Sequence, residues 1–235
     1  MAGIVVRKIV TNGLVLCLDA ANPKSIISGS TVWNDISVST AKATLVNGPT
    51  FNTSNSGSIT LNGTTQFIRI PNESRYAPNT GDFTIEWYQY GGSGGAVPRI
   101  MSIGYYAGGT TLAISLEGGA LYHWVGSSPN GGGTSLGAHG TLTNVWSHFI
   151  VTRVSGVVRA YKNGVYMGVA ANNSGNGSFN SAKYFTIGVE TSNGTSGIAN
   201  TFLGGRIGLF RLYVGKGFSQ VEVLQNYNAT KRRYL

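Results

Sequence analysis

Apolar residues recur at alternate positions in short runs along this chain, and turn residues separate the runs. "GSITLNGTTQFIRIP" predicts two strands joined as a hairpin at Asn62-Gly63, because an Asn-Gly pair accepts the left-handed backbone of a two-residue turn. "FTIEWYQY" places Phe83, Ile85 and Trp87 on one strand face and Thr84, Glu86 and Tyr88 on the other. "RIMSIGYY", "TLAISLEGG" and "ALYHWVG" follow at short intervals, as a meander does. "SHFIVTRVSGVVRAYKNGVYMGVA" holds three strands, the last two joined at Asn163-Gly164, and "YFTIGVE" and "GRIGLFRLYVG" complete the series. About a dozen strands in one chain imply a two-layer sandwich or a barrel.

A single helix is signalled, at the end of the chain. In "GFSQVEVLQNYNATKRRYL", Ser219 and Glu222 form a capping box, Phe218 and Val223 a hydrophobic staple. Val223, Leu224 and Tyr227 are expected on the docking face. The glycine-rich stretches "GGSGGAVP" and "GSSPNGGGTSLGAHG" read as loops of one sandwich, and no internal domain boundary or fixed-period repeat appears.

Composition agrees with an all-β chain: 35 glycines and 12 tyrosines against 11% charged residues. The one cysteine, Cys17, excludes an intrachain disulfide and reads as a small buried hydrophobe. "MAGIVVRKIVTNG" lacks the features of a signal peptide, and no apolar run is long enough for a membrane-spanning helix, so a soluble protein made inside a cell is expected. The N-x-[ST] sequons at Asn62, Asn72, Asn193 and Asn228 are discounted for want of a secretory signal. The formal charge is +9, part of it at the ends, in Arg7, Lys8, Lys231, Arg232 and Arg233. These basic ends are candidate contacts for an acidic partner surface, or merely solvated tails. Nucleic acid is not expected, because no zinc spacing, RNA-binding strand motif or long basic helix accompanies them.

"GLVLCLDAANPKSI", "TVWNDIS", "ATLVNGPTF", "SITLNGTTQFIRIP", "FTIEWYQY", "WSHFIVTR", "VRAYKNGVYMG" and "IGLFRLYVGKGFSQVEVLQNYNATK" resemble, in order, the concanavalin A-like, laminin-G-like jelly-roll domains. The version with "DAANPKS" near its start and "LQNYNATK" near its end is similar to domains of tailed-phage structural proteins. The resemblance implies an antiparallel two-sheet sandwich with a short C-terminal helix: residues 1–10 form an N-terminal tether, residues 11–235 a single laminin-G-like domain. The fold hosts lectins, hydrolases, adhesion modules and capsid proteins, so it does not select a function.

Hydrolases of this fold that the strand resembles would carry Glu-x-Asp-x-x-Glu; here Trp87, Tyr88, Gln89 and Tyr90 follow Glu86, and the motif fails. Asp82 would lie about 13 Å away along an extended strand, beyond the spacing of glycosidase carboxyl pairs, while Glu117 could still approach across strands. Glu86 is therefore assigned a framework or surface role and no catalytic residue is named. Among the histidines, His123, His139 and His148, no metal spacing occurs, and the resemblance implies a scaffold role for His148. No cofactor is expected: calcium, which related domains bind through acidic loops, finds little support where Asn62 replaces an aspartate and Asp19 and Asp35 read as turn caps.

Tyr105, Tyr106, Tyr122, His123 and Trp124, with Asn130 on the adjacent loop, are the candidate carbohydrate-binding set; alternatively the aromatics pack the two sheets. Alternation puts Leu121, His123 and Val125 on one face, Tyr122 and Trp124 on the other. Two functions follow as expectations. One is a non-enzymatic virion protein, a capsid decoration or fibre-associated component, made in the host cytoplasm, assembling in repeated copies on capsid or tail proteins and attaching also to host polysaccharide. The other is a lectin module outside any virion.

Overall fold

The structure, a computed structural model, describes residues 8–105, 107, 109–127, 133–170 and 175–234. Among these, sixteen strands and one α-helix are formed: β1 (Leu14–Asp19), β2 (Val32–Asn34), β3 (Lys42–Val46), β4 (Thr50–Asn52), β5 (Ser58–Asn62), β6 (Phe67–Ile70), β7 (Phe83–Gly94), β8 (Arg99–Tyr105), β9 (Gly109–Glu117), β10 (Ala120–Ser127), β11 (Thr134–Ala138), β12 (Trp146–Val154), β13 (Val157–Lys162), β14 (Val165–Ala170), β15 (Phe185–Ile187), β16 (Leu203–Val214) and α1 (Gln220–Thr230). Two antiparallel eight-stranded sheets face each other. The first runs β14-β13-β12-β7-β16-β5-β4, with β1 also on β16, and the second runs β11-β10-β9-β8-β15-β6-β3-β2.

Alternation decides what fills the space between them. Phe83, Ile85, Trp87, Phe149, Val151, Phe210 and Leu212 of the first sheet meet Ile68, Ile103, Leu112, Ile114, Leu121 and Phe185 of the second in one continuous apolar core. The expected meander over β8, β9, β10 is present, as is the β13–β14 hairpin, where Asn163 and Gly164 take φ values of 52° and 79°.

The Asn62-Gly63 hairpin is not formed. β5 pairs with β16 and β4, whereas β6 pairs with β15 and β3, so the turn carries the chain from one sheet to the other. Asn62 Oδ1 accepts the backbone N–H groups of Thr64, Thr65 and Gln66, extending the connection beyond a two-residue turn. Two glycine-rich stretches also differ from the loops expected. Gly91–Gly94 continue β7 beside β16, and residues 134–138 form β11.

α1 carries its capping box as expected, and Phe218 and Val223 share a small apolar cluster with Ile150, Tyr161 and Tyr213. Its buried face is Val223, Asn226 and Thr230; Leu224 is 41% exposed. The polar Asn226 displaces Leu224 from that face because a buried carboxylate lies beneath it. No helix among the described residues is long and apolar enough to cross a membrane.

Candidate functional site

Glu86 is fully buried on the outer face of the first sheet, under α1. Register sets it between Ile150 and Arg211, and its oxygens accept from Arg211 Nη1 (3.2 and 3.3 Å), Asn226 Nδ2 (2.7 Å) and the Tyr213 hydroxyl (3.4 Å), with His148 Nε2 at 3.0 Å. Burial opposes its charge, but the Arg211 guanidinium and the bonds from His148 and Asn226 outweigh it, holding the carboxyl at about 2. The approach of Glu117 that the sequence leaves open does not occur: it lies on β9 of the other sheet, 3.5 Å from Arg99 and bonded by Ser115 Oγ at 2.6 Å. Glu86 is a framework residue.

The expected carbohydrate set is dispersed. Tyr106 and Asn130 lie outside the described residues. Tyr105 pairs with Gly109 and Tyr122 with Ser115, six positions apart on β9, or about 20 Å along the strand. His123 is fully buried on the core side with Leu121 and Val125, near the Thr134 carbonyl at 3.1 Å, and burial pushes its pKa down to about 4. It is corrected from candidate ligand to packed core histidine. Trp124 shares the opposite face with Tyr122, their rings 6.3 Å apart, but it is no open platform. The Arg99 guanidinium sits 4.2 Å over its ring and the Gly133 backbone presses so close that a Cβ there would lie 2.4 Å from the indole.

Trp124 nevertheless borders a concavity formed by two clefts that meet at Ala199 and Asn200. One cleft, of about 370 Å³, is lined by Trp124, Arg99, Glu117, Glu190 and the apolar Val97 and Ile198. Its charged floor is preordered: Arg99 Nε and Nη2 donate to Glu190 Oε2 at 2.8 and 2.7 Å. The Trp124 indole N–H is buried with no partner among the described residues. The other cleft, of about 510 Å³, is lined by Asn62, Thr64, Ser93, Phe202 and the glycines 63, 94, 95 and 197. Backbone bonds from Gly95 to Phe202, Val97 to Asn200 and Arg99 to Thr201 tie residues 95–99 to 200–202 and fix the shared wall. Glycine is required there, since a Cβ on Gly95 would lie 2.2 Å from the Asn200 carbonyl. Sequence reasoning missed Asn62, Ser93, Arg99, Glu190 and Asn200; the one available signal was the density of glycines at 91–95 and 194–205.

Of the basic ends, Lys8 and Lys231–Arg233 fall among the described residues. Arg7 lies outside the described residues, while the Lys8 carbonyl accepts from Gln225 Nε2 and the Val10 amide donates to Asn226 Oδ1. Thus residues 8–10 of the expected tether pack on α1. Lys231–Arg233 form a 3-10 turn after α1, with Lys231 over the Tyr227 ring, Arg233 ion-paired to Asp19 at 2.7 Å and Arg232 exposed. Asp19 and Asp35 serve as caps, Asp19 for the Ala21 amide and Asp35 for the amides of Cys17 and Ser37.

Two packed antiparallel sheets of this strand order define a concanavalin A-like jelly-roll sandwich. Residues 62–220 match the family described as the concanavalin A-like lectin/glucanases superfamily, and the chain belongs to it. Among curated proteins, none matches the sequence. Solved structures share the fold at low identity. The binding domain of Paraclostridial Mosquitocidal Protein 1 has a TM-score of 0.69 and 16% identity over 92% of this chain and 52% of its own. The botulinum neurotoxin serotype D binding domain gives 0.67 and 13%, over 93% and 52%. Trypanosoma rangeli sialidase with the inhibitor DANA gives 0.65 and 15%, over 99% and 36%. The chain thus spans about half of the toxin binding domains and a third of the sialidase.

Proposed function

We propose that the chain is a non-enzymatic, lectin-like binding module that holds a carbohydrate in the trough where the two clefts meet. The observation that carries this reading is the position of Asn200, whose side chain is exposed and shared by both clefts. Around it stand groups suited to a polyol: the Ser93 and Thr64 hydroxyls, the glycine backbone at 63, 94, 95 and 197, and the Phe202 ring, with the Arg99-covered Trp124 at the border. Superfamily membership and the likeness to two toxin binding domains support the same reading.

Asn200 has φ of 66°, a conformation glycine accepts without strain, so Asn200→Gly removes the amide and spares the backbone. The full chain, screened on a glycan array and titrated calorimetrically with its best ligand, is expected to bind, and the variant to lose about tenfold in affinity with unchanged melting. Absence of any glycan ligand, or equal affinity of the variant, overturns the trough.

A second reading, compatible with the first, makes the module a virion component, a capsid decoration or fibre-associated protein present in several copies on capsid or tail proteins. It is supported by the ordered resemblance to phage domains and by the convergence of the basic ends: Lys8 is bonded at Gln225, about 9 Å along the helix from Lys231. Quantitative mass spectrometry of particles from the source tests it, and absence of the chain from them defeats it.

A further inference from the structure

A second concavity lies on the outer face of the second sheet, beyond the 190–201 segment that walls the trough. It is a groove of about 290 Å³ lined by Arg69, Lys183, Tyr184, Asn72, Thr44 and Ser181. Register places Arg69 between Thr44 of β3 and Thr186 of β15. The Arg69 guanidinium spends one N–H on the Gly194 carbonyl, at 2.9 Å. The Lys183 stem lies along Gly104, where a Cβ would stand 2.9 Å from its Cδ, and its ammonium reaches Thr111 Oγ1 at 3.3 Å. Both cations are therefore held in place before any ligand arrives, which lowers the ordering cost of binding.

What these cations lack, among the described residues, is an anion. All eight acidic side chains fall among the described residues, and each is engaged elsewhere. Asp19, Glu73, Glu86, Glu117, Glu190 and Glu222 pair with other cations. Asp35 and Asp82 accept hydrogen bonds from nearby turns. No carboxylate among the described residues pairs with Arg69 or Lys183, in a chain whose formal charge is +9. Burial already pushes the Lys183 ammonium below its ordinary pKa, a cost that an adjacent anion would offset.

We infer that this groove is a second ligand site, independent of the trough, which takes the carboxylate or sulfate of an acidic sugar between Arg69 and Lys183. The surrounding Thr44 and Ser181 hydroxyls, the Asn72 amide and the half-buried Tyr184 suit the hydroxyls and ring of the same sugar. A nucleic-acid backbone fits less well, since it asks for a row of cations at phosphate spacing and the groove has two.

The test uses the full chain with three polysaccharides, neutral dextran, dextran sulfate and polygalacturonate, at about physiological ionic strength. Lys183→Met keeps the stem and removes the charge; Lys183→Arg restores it. Lys183→Met is expected to bind the acidic polysaccharides about tenfold more weakly, with melting and trough binding unchanged and Lys183→Arg recovering the loss. Weakening confined to one acidic arm identifies sulfate or carboxylate as the group read. Undiminished binding of both acidic arms by Lys183→Met, or an equal loss on a duplex DNA of the same charge, overturns the proposal.

Discussion

Asn226 of the C-terminal helix donates its side-chain N–H to the Glu86 carboxylate at 2.7 Å, across 140 positions of sequence. Through that bond the helix is fastened to a carboxylate that also gathers Arg211 from β16 and His148 from β12. The groups are nearly or wholly buried, so their attraction is little screened by solvent.

Glu86→Gln should therefore be costly although it preserves shape. It leaves the Arg211 guanidinium buried without its counter-charge, and a loss of about 3 kcal/mol is expected in urea unfolding at neutral pH. Adding Arg211→Met to Glu86→Gln removes the orphaned charge and should recover part of the loss. A single variant as stable as wild type would show that the ion pair does not support the fold.

Acid should destabilise the fold in two stages. The buried His123 imidazole has its pKa lowered from 6.5 to about 4, so the unfolded chain binds its proton first: the stability is full above 6.5 and is lost as the pH falls toward 4. The scale is about 3 kcal/mol. Glu86, lowered from 4.5 to about 2, contributes above 4.5 and loses its contribution as the pH falls toward 2. Unfolding midpoints measured from pH 7 to 3 should show the first stage flattened in His123→Leu and the second unaltered. Parallel curves for the two proteins would remove His123 from the account.

Much of this architecture is legible in the chain because it is local. The capping box needs only Ser219 and Glu222, and the β13–β14 turn only Asn163 and Gly164. The turn at Asn62 was misread because its residues specify a bend, whereas sheet membership is decided by β16 on one side and β15 on the other. Alternation separated His123 from Trp124, yet which face turned inward depended on Leu121 and Val125 finding the core. The trough was illegible for the same reason: Arg99, Trp124 and Glu190 come from distant segments and meet only when the second sheet forms.

Gly95→Ala tests the wall that these segments build. Its Cβ would overlap the Asn200 carbonyl, so residues 198–200 must shift, at a cost of about 1–3 kcal/mol and with weakened glycan binding. Gly118→Ala is the control. At φ of 53° with open space around it, it should cost about 1 kcal/mol and leave binding intact. Equal glycan affinity for Gly95→Ala and wild type would mean that the wall does not shape the site.

Trp124→Phe separates a binding role from a packing role. The indole N–H is buried without a partner among the described residues, while the Arg99 guanidinium lies over the ring face. Phenylalanine keeps an aromatic face for that cation and deletes the unsatisfied donor, so the free protein should stay within about 1 kcal/mol of wild type. Phenylalanine also withdraws the indole edge against which the Gly133 backbone packs, which loosens the wall of the cleft and weakens glycan binding. Trp146→Phe is the matched control, because its indole N–H is equally unpartnered but Trp146 packs against Tyr234 on the first sheet. Affinity measured by calorimetry should fall about fivefold to tenfold in Trp124→Phe and not in Trp146→Phe. A fall in both would indicate a general change in the fold, and a fall in neither would leave Trp124 a packing residue bordering a site it does not serve.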